Sequence, residues 1–336
     1  MTWHCRSTLS DLAFEGYTPR AKRSLSGGKG VFPHRLPFTR ADLNLARSVA
    51  PNRMSISGVQ DKVQLKLVRG TLEAVQAGGD FLLKPIPSAP LHRAECVPAN
   101  EHLCMQIAGQ VFHVETPPNA LVILSDDEPA YLVRRYDRGA DTVDGRLHQE
   151  DLGQVMSRST EDRNWKYLGS YEEMSDGIRL GCPAWKVALE RLWQRIVLCY
   201  ALGNGDAHWK NFSLLEDPDG GYRLAPAYDL LSTSLHFPEE SPLALDLFRG
   251  GELTPSFEAL GFWTGADFLE LARRWELVAT RCSSWLAGVG VSTPGVMDLI
   301  ARSFLAEDLK PRLGALWKER VRALGMMGIY GIRANI

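Results

Sequence analysis

The chain has 336 residues, 45% of them hydrophobic, enough to bury one large core or two lobes. Its 38 basic residues nearly balance 40 acidic ones, for a formal net charge of −2, which excludes a wholesale nucleic-acid binder but leaves room for a local basic patch. The six cysteines have no zinc or CxxC spacing, the N-terminus lacks a signal-peptide layout, and no apolar run approaches the roughly 18–20 residues that cross a bilayer; a soluble, cytoplasmic protein with reduced thiols and no membrane partner is expected.

Residues 17–41 hold Arg20, Lys22, Arg23, Lys29, Arg35 and Arg40 with no acid, among glycines and prolines. They read as an irregular, solvated arm, or as a contact for nucleic acid or an acidic partner. Ser26-Gly27-Gly28-Lys29-Gly30 imitates a phosphate loop but lacks the G-x-x-x-x-G-K-[ST] layout. From about 55 to 137 the pattern is strand-rich. Val63, Leu65 and Leu67 alternate with Gln64, Lys66 and Val68, Phe81–Lys84 is a short apolar run stopped by Pro85, and 120–124 and 131–133 are further strands. Ala99–Ile107 reads as a helix with Leu103, Cys104 and Ile107 on one face.

Beyond about residue 145 the pattern is helical. Trp185–Leu202 is the clearest helix, ended by Gly203. Phe212–Leu215 and Tyr222–Leu224 flank the turn signal Asp217-Pro218-Asp219-Gly220-Gly221, as a hairpin would. Thr264–Ala287 and Val296–Leu316 read as closing helices. The expected fold class is α+β: an N-terminal segment (1–54), a small sheet-rich lobe (55–137) and a larger helical lobe (138–336).

The informative stretch runs from Gly203 to Ser213. Asp206 and Asn211 are separated by four residues, the D-x-x-x-x-N spacing of a phosphoryl-transfer loop. One carboxylate must meet an attacking hydroxyl, while a neutral amide oxygen binds Mg²⁺ without a second repelling charge beside it. After the hairpin, Asp229 falls where a second metal-binding acid belongs. Alone, Asp206 and Asp229 could equally cap a turn and a helix.

Asn204–Ser213 followed by Pro226-Ala227-Tyr228-Asp229 resembles the HipA family of bacterial Ser/Thr kinases. Ser55–Lys62 resembles the family's phosphate loop, Phe81–Pro85 its ATP-lysine strand, Asn100-Glu101 an Asn-Glu pair opening a helix, and Arg135-Tyr136-Asp137-Arg138 and His148-Gln149-Glu150-Asp151 match in type and order. The resemblance implies a two-lobed protein-kinase-like fold using ATP and Mg²⁺. It makes Asp206 the catalytic aspartate that orients and deprotonates the substrate hydroxyl, Asn211 and Asp229 the metal ligands, Lys84 the partner of the α/β-phosphates, and Glu101 the acid that steadies Lys84. His208 and Lys210 would meet the transferring phosphate, and Ser57, Gly58, Val59 and Gln60 would cradle phosphates. Backbone amides near 133–136, around Arg134 and Tyr136, would bond the adenine. Gln149, Glu150 and Asp151 would lie at the cleft mouth.

Ser55 and Ser57 would be autophosphorylation sites, a phosphoserine's added charge repelling nucleotide. The stretch ahead of Ser55 is shorter than the family's N-terminal subdomain, which resembles the HipT branch. That implies separate HipS-like and HipB-like antitoxin partners, indirect DNA contact through the latter, and an aminoacyl-tRNA synthetase target, tryptophanyl being suggested. Two other readings stay open: a kinase-fold scaffold in a DNA-bound repressor complex, with Asp206 inert, and a lipid or small-molecule kinase.

Overall fold

The computed structural model describes residues 3–48, 62–138, 145–217 and 219–328. Ser55, Ser57, Gly58, Val59 and Gln60 lie outside them.

The alternating stretch at 63–68 forms a strand whose inward residues Val63, Leu65 and Leu67 are buried. It joins a five-stranded antiparallel sheet in the order Thr71–Ala74, Val63–Val68, Phe81–Pro85, Pro129–Arg134, Asn119–Ile123. The first of these was not read from the sequence, because Leu72 alone of its four residues is buried. A small core covers one face of the sheet: Leu65, Leu83, Ala120 and Leu132 meet Tyr17, Leu25, Phe32 and Leu36.

That packing corrects the irregular arm. Pro19–Ser26 is a helix capped by Thr18 and closed by Gly27 in the left-handed region, φ 64°. Ala21 and Leu25, one turn apart, face the core, while Arg20, Arg23 and Lys29 stay exposed. A second helix spans Arg40–Ser48. Charge, glycine and proline concealed the segment's apolar anchors.

The helix Val97–Gln106 is buried on every side, rather than on one face. Its polar residues are therefore bonded: His102 Nε2 lies 3.1 Å from Ser7 O, and Gln106 donates to Asn119 Oδ1 at 2.7 Å.

The larger core is helical. Trp185–Leu202 passes through it, burying Leu189, Leu192, Trp193 and Ile196. Gly203 stops this helix at φ 67°, and a Cβ there would sit 2.5 Å from Leu316 Cδ2. The chain then forms the hairpin Ser213–Glu216 and Tyr222–Leu224, with Gln149–Asp151 as a third strand. The expected helix 264–287 is two, Gly265–Arg274 and Ala279–Val291, broken where Glu276 takes φ 60°. The expected helix 296–316 is likewise Thr293–Arg302 and Leu309–Leu324. All six cysteines are buried and free. No described helix is long and apolar enough to cross a membrane.

Candidate active site

Lys84 sits on the central strand Phe81–Pro85, facing the buried helix Val97–Gln106. Its ammonium donates to Glu101 Oε1 at 2.5 Å and to Asp229 Oδ1, with the Tyr131 ring 5.5 Å away. Burial alone would depress the Lys84 ammonium, but the Asp229 and Glu101 carboxylates outweigh it and hold the group above its ordinary value. Burial would also raise Asp229, yet Lys62, 3.8 Å away, and Lys84 keep it well below the usual carboxylate range. Glu101 goes the other way: burial pushes it up more than its shared lysine pulls it down. Its Oε2 is buried without a protein partner.

Asp229 has φ 54°, a conformation that Asp tolerates better than most side chains. The chain beyond it is pinned by Asn100. The Asn100 amide donates to Ser232 O at 2.9 Å and its oxygen accepts from Ser232 N–H at 3.0 Å. Asn100 Nδ2 also lies 2.9 Å from His236 Nε2. One helix therefore steadies both the lysine and the segment after Asp229.

The 203–213 loop supplies the other wall. Gly205 is required by close approach, since a Cβ there would lie 2.3 Å from Ser241 O. Asp206 remains half-exposed; Tyr167 Oη donates to its Oδ1 at 2.6 Å. His208 is buried, which holds its imidazole down to about 4 and therefore neutral near pH 7. Asn211 Oδ1 accepts the His208 N–H at 3.1 Å and keeps a second lone pair.

Two cavities meet on these residues. One, of about 310 Å³, is lined by Leu82, Tyr131, Val133, Arg134, Tyr136, Lys210 and Tyr228 among others. The Tyr136 and Tyr228 rings stack there with centroids 6.1 Å apart. Gln149 and Asp151 line it as well, whereas Glu150 does not. The second, of about 730 Å³, is lined by Pro87, Leu91, Val97, Lys166, Tyr167, Asp206, Leu231, Phe237 and Glu240 among others. Lys62, Lys84, His208, Asn211 and Asp229 line both. The structure thus brings Lys84, Glu101, Asp206, His208, Lys210, Asn211 and Asp229 to one place.

The backbone amides expected to meet the adenine, near 133–136, are not all free. Arg134 N–H donates to Pro118 O and Arg135 N–H to Asp80 O, both at 2.8 Å. These two amides are committed within the protein. Arg134 also turns its guanidinium to Ser24 O at 3.1 Å.

The donor set fits Mg²⁺ carried on a nucleotide. Asn211 and Asp229 offer hard oxygen donors beside a cavity with a lysine, and Mg²⁺ takes one or two protein oxygens plus phosphates and water. Among the described residues no group of three His, Cys, Asp or Glu could cage a metal alone. Lys62, Asn100 and Tyr167 were given no role from sequence. Lys62 ends the phosphate-loop match and Asn100 opens the Asn-Glu pair, so their places were visible; Tyr167 sits in a connector without any pattern.

The family model "HipA-like C-terminal domain" matches residues 54–292. A Haemophilus influenzae protein carrying a provisional kinase name is 31% identical over 287 residues, covering 79% of this chain and 81% of its own. Y4mE of Sinorhizobium fredii, also provisionally named a kinase, is 33% identical over 56% of this chain and 44% of its own. Among solved structures, the Shewanella oneidensis MR-1 toxin–antitoxin complex of HipA, HipB and operator DNA aligns with a TM-score of 0.61 at 19% identity, covering 85% of this chain and 70% of that one. The Helicobacter pylori proinflammatory kinase CtkA aligns with a TM-score of 0.52 at 14% identity, covering 78% of this chain and 91% of that one. The fold is thus the two-lobed, kinase-like α+β fold. With the model spanning most of its length, this chain belongs to the family of HipA-like C-terminal domains and is a homologue of HipA-like kinases.

Proposed function

We propose that this protein is an ATP-dependent protein kinase that phosphorylates serine or threonine hydroxyls. The observation that carries the reading is the meeting of two cavities on Lys84, Asn211 and Asp229, with Asp206 at the larger one. Phosphoryl transfer needs a nucleotide and an acceptor approaching one point from opposite sides, mostly through positioning and charge. Residues 55–137 and 138–336 would be the two lobes around that point.

On this reading Leu82, Val133, Tyr136 and Tyr228 hold the base, and Lys84 neutralises the phosphates. Asn211 and Asp229 would hold Mg²⁺, which when bound supplies positive charge to the phosphate oxygens. Asp206 orients the acceptor hydroxyl and takes its proton. His208, being neutral, lends a dipole rather than a charge, and Lys210 adds positive charge at the nucleotide side.

Finer parts of the reading rest on family resemblance. Ser55 or Ser57 would be autophosphorylated, adding about −1.5 to −2 charge close along the chain to Lys62. HipB-like and HipS-like antitoxins would be partners, with DNA reached through the former, as a HipT-branch, cytoplasmic toxin requires. The target would be an aminoacyl-tRNA synthetase, with tryptophanyl the first to test.

Labelled ATP offered with a protein extract, a lipid extract and a metabolite mixture tests the acceptor class. Label in protein alone, on serine or threonine, supports the proposal. Label in lipid or metabolite moves the protein to the small-molecule kinases. No label anywhere, in a chain that binds ATP, favours the scaffold.

A further inference from the structure

Asp206 is a short carboxylate on a turn, and half-exposed. A carboxylate so placed can rotate about its Cβ–Cγ bond, and rotation costs a general base its aim. Two hydrogen bonds reach this residue, and only the second acts against rotation. Asp206 N–H donates to Asn204 Oδ1 at 3.2 Å, which shapes the backbone only. Tyr167 Oη donates to Asp206 Oδ1 at 2.6 Å, which fixes the carboxylate itself.

Tyr167 comes from outside the catalytic loop. It ends the short 3-10 turn Trp165–Tyr167, in the connector between the short helix Leu152–Val155 and the helix Met174–Gly181. This connector grips the loop at alternate residues. Tyr171 Oη donates to Ala207 O at 2.8 Å. Trp209 Nε1 donates to Leu168 O at 2.9 Å, and Arg158 donates to the same oxygen at 2.8 Å while its guanidinium lies 4.4 Å from the Trp209 ring centre. Between these two anchors the Tyr167 ring meets the His208 ring edge to face at 5.1 Å. Ala207 and Trp209 are thus held by the connector, and Asp206 and His208 are addressed by one tyrosine.

We infer that Tyr167 is a positioning residue for phosphoryl transfer, its hydroxyl holding one oxygen of Asp206 so that the other faces the acceptor hydroxyl. The inference rests on the proposed kinase reading. Burial and the neighbouring carboxylate push the Tyr167 phenol above its ordinary value, so it stays protonated and keeps donating. The alternative, a plug that blocks Asp206, fits less well: with the hydrogen bond made, Asp206 is still 46% exposed. Tyr167 lines the larger cavity and not the smaller one, so its loss should spare nucleotide binding.

The test compares the full chain with Tyr167→Phe, which removes the hydroxyl and keeps the ring against His208. ADP release is followed with dephosphorylated casein and the chain itself as acceptors, and a non-hydrolysable ATP analogue is titrated in parallel. The inference expects kcat to fall about ten- to a hundredfold, the effect of losing a hydrogen bond to a charged group. It expects the KM for Mg-ATP and the analogue affinity to stay within about twofold. A wild-type chain that turns over and a Tyr167→Phe chain that matches or exceeds it would overturn this inference and leave the kinase reading standing. A fall in kcat matched by weaker analogue binding would overturn it too, since the tyrosine would then be supporting the whole fold. A wild-type chain that binds the analogue without turnover would remove the kinase reading and the inference with it. Tyr167→Leu, which also removes the ring, is the second variant: it should show the same loss in kcat with a higher KM for casein.

Discussion

The two cavities that meet at Asp229 are built differently. The smaller is walled by strands and the hairpin: Leu82, Lys84, Tyr131 and Val133 come from two neighbouring strands of the five-stranded sheet, and Ser213 from the hairpin. The larger takes much of its wall from loops and short turns, with Tyr167 on one and Phe237, Pro238 and Glu240 on another. Strands fix side chains by pleat and register. Loops fix them only through particular bonds, such as Asn100 to Ser232 and Tyr171 to Ala207. The strand-built side should therefore be rigid and general, and the loop-built side should carry acceptor choice.

The largest effect that sharpens this contrast is expected from Lys84→Met. It strands Glu101, 1% exposed, without its cation. Breaking a buried ion pair should lower stability by about 3 kcal/mol, and losing the phosphate partner should cut kcat/KM by about a hundredfold or more. Thermal melts and steady-state kinetics read both; a stable variant with unchanged kinetics would mean that the strand-built side is not the nucleotide side.

Asn100→Ala should come next. It removes two bonds to Ser232 and a contact to His236, at a cost of about 1–3 kcal/mol for groups left unpaired. Because the freed segment leads to Phe237 and Glu240, the KM for a protein acceptor should rise more than the KM for ATP. An equal rise in both would break the division between the two sides.

Phe237→Ala should have the smallest effect. Phe237 is 46% exposed at the larger cavity, so stability should move by no more than about 0.5 kcal/mol. Loss of its apolar surface should raise the acceptor KM by about three- to tenfold with ATP kinetics unchanged. A change in ATP affinity would contradict the assignment.

The same contrast decides what could be read from the chain. Val63, Leu65 and Leu67 announce their strand by period, and Asp206, Asn211 and Asp229 by spacing around a hairpin. Tyr167 has no comparable signal, because its role depends on an oxygen 39 positions away along the chain. The segment at 17–41 misled for another reason: its core anchors, Tyr17, Ala21, Leu25, Phe32 and Leu36, are diluted by charge and glycine. The break near Glu276 escaped because no glycine or proline marks it; an ordinary residue adopts the left-handed region there.

The most direct test of the central claim is turnover by Asp206→Asn. Purified wild type and variant are incubated with Mg-ATP, ADP release and intact mass are followed, and binding of a non-hydrolysable analogue is measured beside them. The account predicts phosphoryl transfer by the wild type, a loss of at least about a hundredfold in the variant, and equal analogue binding by both. Equal turnover by the two chains, or a wild type that binds the analogue and transfers nothing, would contradict it.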